Sequence, residues 1–150
     1  MAIEQHHYDF MAEAIREAEL SISEGGLPIG AVLTRNDKII ARGHNRRMQE
    51  NNVTLHGEMS CLRDAGLISF HDTVMYTTLS PCSMCAGAVG LLKLSLLVIG
   101  ESVTFPGSKD ILSICGIPFL DLEDERSIKM MQAWRANPDN ERIWQGDIGN

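Results

Sequence analysis

The chain has 150 residues, 44% hydrophobic and 22% charged, the size and balance of one compact domain with its own core. No run approaches the roughly 18 to 20 apolar residues of a membrane span, and Met1 to Tyr8 lacks the basic-then-apolar order of a secretion signal, so a cytoplasmic protein with no membrane partner is expected. The formal net charge of -7, with Lys and Arg scattered rather than clustered, repels a polyphosphate backbone and argues against nucleic acid as a partner.

Met11, Ile15, Ala18 and Ile22 recur at helical spacing until Glu24-Gly25-Gly26 breaks the pattern, which predicts an amphipathic first helix. Leu27 to Leu33 reads as a strand, joined through the turn Arg35-Asn36-Asp37 to a second strand, Lys38 to Arg42, as an antiparallel hairpin. Gly43 to Val53 is polar and reads as loop. A short helix from about His56 to Ala65 follows, closed by Gly66 in the position that a left-handed cap favours. Val74 to Thr77 is a strand. Ser80 and Pro81 read as N-cap and first residue of a helix running to about Leu91, and Leu94 to Ile99 is an apolar strand of the buried type, so a parallel pairing is expected.

After a loop containing Gly107 come a helical turn near Ile111 to Ile114 and a last strand, Pro118 to Leu122. Glu123 to Glu125 open a helix whose later turns carry Arg126 and Lys129, the charge order that the helix dipole prefers. Asn137-Pro138 ends it, and Trp144 and Asp147, three apart, share one face of a final helical turn. The sum is an α/β fold, a three-layer α/β/α sandwich with a central mixed sheet.

Four cysteines could make two disulfides in a secreted protein, but the spacing Cys82-x-x-Cys85 favours reduced, metal-bound thiolates. Residues three apart at a helix start put both sulfurs on one side of the first turn. The third ligand candidate is His56, which precedes Glu58 in a His-x-Glu unit. Residues two apart on a helix do not face each other, so both reach one metal only if it lies off the helix end. Two helix N-termini would then aim their positive ends at the site and favour thiolate over thiol. Three protein ligands leave one tetrahedral position for water, the arrangement of catalytic zinc, and Glu58 is the proton carrier beside it.

Cys61 and Cys115 sit among apolar neighbours and read as small buried hydrophobes. His6 and His7 fall in a mobile start, and His71 in a polar turn. His44, beside Asn45, is the one further histidine that could support the site from behind.

The segment Thr54-Leu55-His56-Gly57-Glu58, together with Thr78-Leu79-Ser80-Pro81-Cys82-Ser83-Met84-Cys85-Ala86-Gly87-Ala88, resembles the cytidine deaminase superfamily. Gly43-His44-Asn45, Gly100-Glu101 before Phe105, Asp124-Glu125-Arg126 and the closing Trp144, Asp147-Ile148-Gly149 resemble the fungal-type cytosine deaminases, nearly from end to end. The resemblance implies a homodimer, a five-stranded sheet flanked by helices, zinc as cofactor, and hydrolysis of a free base, cytosine, to uracil and ammonia. It implies further that Asn45 and the Gly57 amide bind the base carbonyl, and that the Ser80 carbonyl and the Asp147 carboxylate take the amine. Ile29, Leu79, Phe105 and Trp144 match the family's apolar walls. Gln145 and Gly146, and a shortened connection after Gly66, depart from the fungal pattern.

The groups so assigned read an edge of amine, carbon, ring nitrogen, carbon and carbonyl. Cytosine has it, and so do isocytosine and creatinine; guanine deaminase is a near alternative. A transfer RNA adenosine deaminase shares the metal signature but needs a basic strand-binding surface, and a zinc module without turnover would tolerate loss of Glu58.

Overall fold

The computed structural model describes residues 1–147. Its strands are β1 (Gly30–Arg35), β2 (Lys38–His44), β3 (Val74–Leu79), β4 (Leu96–Glu101) and β5 (Phe119–Asp121), joined in one sheet in the order β2-β1-β3-β4-β5. β1 pairs antiparallel with β2 and β3, whereas β3, β4 and β5 run parallel. The β1-β2 hairpin turns at Asn36 and Asp37, both with positive φ, as a two-residue turn that matches strand twist requires.

Alternation along the strands divides the core. Val32, Tyr76 and Val98 lie side by side on one face, beneath Met11, Ala14 and Ile15 of helix α1 (Gln5–Ser23). Leu33, Met75 and Leu97 form the matching row on the other face. That row packs under α3 (Gly57–Ala65), α4 (Ser83–Leu92) and α5 (Lys109–Ile114). Fully buried, Leu97 and Ile99 each contribute about 1.5–3 kcal/mol relative to exposure. The remaining helices are α2 (Arg47–Glu50), α6 (Glu125–Arg135) and α7 (Pro138–Asp147). The expected mixed five-stranded sheet between helices is therefore present.

Several boundaries differ from the sequence expectation, each for a local reason. The first strand begins at Gly30 rather than Leu27, because the Ile29 amide turns back onto the Leu27 carbonyl at 2.9 Å. The stretch from Gly43 to Val53 is not all loop: β2 continues through His44, and α2 makes one turn. Ser80 and Pro81 do not open a helix. The Ser80 amide donates to the Glu101 carbonyl at 2.9 Å and the Ser108 amide to the Pro81 carbonyl at 2.8 Å, which keeps both residues out of the helix and moves the N-cap to Cys82.

The chain's end differs most. Asn137-Pro138 ends α6 but also starts α7, a helix of 10 residues rather than a single turn. Asn137 Oδ1 accepts the Asp139 amide at 2.9 Å, and Pro138 takes the first helical position, where a missing N–H costs nothing. Gly66 does close α3 with φ 75, although its ψ of -154 lies outside the left-handed helical region. His7 is buried, and its Nδ1 accepts the Glu4 amide at 2.9 Å, so the predicted mobile start is a capped helix. Cys61 is fully buried in the core, as expected, whereas Cys115 is half-buried and packs against the core's edge.

Candidate metal centre and its cavity

His56 and Cys82 are the N-cap residues of α3 and α4, both extended, at φ -66, ψ 165 and φ -69, ψ 175. Neither helix start is capped by a side-chain hydrogen bond in the usual way. An N-cap projects its side chain off the helix end, so two helix starts converge on one spot. Cys85, one turn along α4, completes the group: one donor atom from each of His56, Cys82 and Cys85 lies within 4.8 Å of the others.

His56 Nδ1 is 3.4 Å from Cys82 Sγ. Ligands about 2.0–2.3 Å from a tetrahedral zinc stand roughly 3.5–3.8 Å apart, so the spacing fits that ion. The donor set fits too, since two thiolates and an imidazole suit zinc and leave one coordination position open.

Without metal the three groups share protons unequally. A hydrogen bond from Cys85, aided by His56, holds Cys82 down at about 4, whereas sharing with Cys82 and burial push Cys85 well above the ordinary thiol value. Burial opposes charge on His56, but Asp147 and Cys82 outweigh it and raise the ring to about 10. The pocket thus favours an imidazolium-thiolate pair, the electrostatic counterpart of a cation site.

Glu58 follows at the second position of α3, buried, and burial pushes its carboxyl up to about 7. A bound cation would draw it back down. Beside it, Asp147 Oδ1 lies 3.3 Å from His56 Nε2 and 3.0 Å from Arg47 Nε. This oxygen is buried and aligned as a hydrogen-bond acceptor with neither partner, so both contacts are charge contacts. The His56 ring thus lies between the Cys82 sulfur near one nitrogen and the Asp147 carboxylate near the other.

A cavity of about 390 Å³ opens on this cluster, within the range of small-molecule sites. It lies beyond the carboxyl ends of the parallel strands β3 and β4, where open α/β sheets bind ligands. Of the predicted residues, Ile29, His56, Glu58, Leu79, Ser80, Cys82, Phe105, Trp144 and Asp147 line it. Cys85 is buried and shares a hydrogen bond with Cys82. Asn45 and Gly57 stand behind Ile29: the Asn45 amide donates to the Ile29 carbonyl at 2.9 Å, and a Cβ on Gly57 would come within 3.0 Å of that carbonyl oxygen.

The Asn45 side chain is half used. Its Oδ1 accepts the Arg47 amide at 3.1 Å, while its buried Nδ2 has no partner. Ser80 commits its hydroxyl to the Pro106 carbonyl at 2.8 Å. His44 does not support the metal cluster. Its Nδ1 and Nε2 lie 3.1 and 2.8 Å from Glu17 and Glu24, and it ties β2 to α1.

Val53, Ser83, Met84 and Ser108 also line the cavity and were not anticipated. For Ser83 and Met84 the signal was available, since they lie between the two cysteines on a turn that must face the metal. Arg47 carried no such signal among the charged residues around it. Ile148 and Gly149, part of the closing motif, lie outside the described residues.

Comparison with known proteins agrees with this geometry. The chain is 40% identical over 141 residues to a cytosine deaminase of Candida albicans, covering 91% of this chain and 92% of that protein. It is 36% identical to a transfer RNA-specific adenosine deaminase of Streptococcus pyogenes, covering 90% of this chain and 83% of that one. Among solved structures, one from studies of A-to-I editing by transfer RNA deaminases at the wobble position matches with TM-score 0.71 and 28% identity, over 81% of this chain and 98% of that one. A structure of guanine deaminase from Nitrosomonas europaea shares the fold with TM-score 0.74 at 20% identity, over 91% and 87% of the two chains. A family model described as the cytidine and deoxycytidylate deaminase zinc-binding region matches residues 4–101, from α1 to the end of β4, and the chain belongs to that zinc-binding deaminase family.

Proposed function

We propose that this deaminase acts on a free nucleobase, converting cytosine to uracil and ammonia. One observation carries the reading: α7 closes the cavity, with Trp144 buried in an apolar cluster with Leu27, Ile29 and Leu79 and with the Asp147 carboxylate beside His56. A site walled by α7 suits a small planar base better than an extended strand. The net charge of -7 points the same way.

The roles follow from position. His56, Cys82 and Cys85 hold zinc, which when bound makes water nucleophilic near neutral pH. Glu58, buried at the site, takes one proton of the attacking water and passes it to the ring nitrogen beside the amine-bearing carbon, then takes the remaining proton of that hydroxyl and delivers it to the departing amine as the carbonyl forms. Asn45 Nδ2 is a donor without a partner, suited to the base carbonyl together with the Gly57 amide. The Asp147 carboxylate and the Ser80 carbonyl, its hydroxyl being occupied, receive the amine. Exposed Leu91 and Ile114, on the packed helices α4 and α5, form the face on which two copies would associate. Sedimentation of a monomer at micromolar concentration would refute that association.

A transfer RNA adenosine deaminase is the second reading, favoured by the relatives of that kind. Isocytosine, creatinine and guanine compete within the free-base class, because all present an amine next to a ring nitrogen. Ammonia release by the zinc-loaded protein, over these bases, cytidine and a transfer RNA anticodon stem, decides among them. Turnover of the RNA or of cytidine without any free base would overturn the reading.

A further inference from the structure

We infer that Arg47 is a positioning residue that holds Asp147 against the site and keeps α7 closed, an inference that rests on the free-base reading above. The Arg47 guanidinium Nε lies 3.0 Å from Asp147 Oδ1, and the two side chains are 16% and 5% exposed. Asp147 lies on α7, the helix that walls the cavity. A buried carboxylate needs a cation, and the Arg47 guanidinium, charged at every working pH, reaches it from α2.

Arg47 is also placed by the site itself. Its amide is held by Asn45 Oδ1 at 3.1 Å and its carbonyl accepts the Asn52 amide at 3.1 Å, which anchors the one-turn helix α2. The same residue therefore links the group proposed for the base carbonyl to the group proposed for the amine, and fixes their separation. Among the described residues, the ion pairs that join α7 to other elements are Arg135–Glu141, reaching α6, and those of Asp147 with Arg47 and His56. Loss of Arg47 frees the distal end of the helix where it walls the cavity.

The test uses Arg47→Gln and Arg47→Lys in the full-length, zinc-loaded protein. Hydrogen exchange of the α7 amides is read without substrate, and steady-state ammonia release is read with cytosine. In Arg47→Gln, α7 amide exchange quickens and KM rises, each by about tenfold, the low end of what loss of a group behind a metal ligand costs. Zinc content stays unchanged, and Arg47→Lys recovers part of both effects. In an Asp147→Asn background the Arg47→Gln change no longer alters α7 exchange.

Unchanged exchange in Arg47→Gln, or an equal effect with Asp147 already replaced, would overturn the inference. These outcomes are independent of substrate. Failure of the parent protein to turn over any free base would instead remove the free-base reading, and is distinguishable on that account.

Discussion

Trp144 meets Phe105 edge-on, with ring centroids 6.2 Å apart and planes at 85°. The pair joins α7 to the loop after β4 across the mouth of the cavity, and Arg135 lies over the outer face of the Trp144 ring at 5.4 Å. Such edge-to-face contacts contribute about 0.5–1.5 kcal/mol beyond area burial. Trp144→Phe keeps an apolar ring but shortens the wall. The expected result is a rise in KM for cytosine of roughly two- to tenfold with kcat nearly unchanged. A fall in kcat with constant KM would mean that Trp144 acts on the chemical step rather than on the closed form.

Glu58→Gln separates proton transfer from metal binding. The amide keeps the shape of the side chain and cannot take a proton, so turnover is expected to fall by about 10²–10⁴-fold, while zinc measured by elemental analysis stays at one per chain. His56→Ala should lose both metal and activity. Retention of most activity by Glu58→Gln would remove this residue from the mechanism.

How far these features could be seen in advance depended on whether neighbours in sequence decided them. His56, Cys82 and Cys85 were legible because a metal imposes spacing, and Glu58 because it rides two residues behind a ligand. Strands β1, β3 and β4 were legible as apolar runs in the sequence, whereas their side-by-side rows come from the pairing. What was missed depends on distant partners: Ser80 and Pro81 stay outside the helix because Glu101 and Ser108, far along the chain, hold them. His44 looked like a site residue, but its ring is taken by Glu17 and Glu24. Arg47 pairs with a residue at the far end of the chain, which no local pattern encodes.

The Arg135–Glu141 pair gives α7 a weak acid sensitivity. Hydrogen bonds from Arg135 and then Gln145 hold Glu141 down at about 2, from an ordinary value of 4.5. A depressed carboxyl stabilises the folded state fully above its unfolded value, and that stabilisation fades as pH falls from 4.5 towards about 2. The pair is solvent-exposed, so the effect is small. The difference in Tm between the parent protein and Glu141→Gln should be constant from neutral pH down to about pH 5, then shrink in more acid solution. A difference that grows with acidity would show that the pair does not hold the helix.

Zinc binding should release protons in a number fixed by the metal-free site. At pH 7 the His56 ring, raised to about 10, carries one proton more than a ligand can keep. Cys85, well above the usual thiol value, carries another, whereas Cys82, at about 4, has already lost its own. Metal binding needs a neutral imidazole and two thiolates, so one proton leaves His56 and one leaves Cys85. Glu58, near 7, adds a fraction of a third as the cation pulls its carboxyl down. Calorimetric titration of the apoprotein with zinc, in buffers of different ionisation enthalpy, should therefore give slightly more than two protons released per ion, and the affinity should weaken steadily as the pH is lowered. Release of one proton or fewer would mean that one of these side chains is not a ligand, or that the imidazolium-thiolate pair does not exist in the free protein.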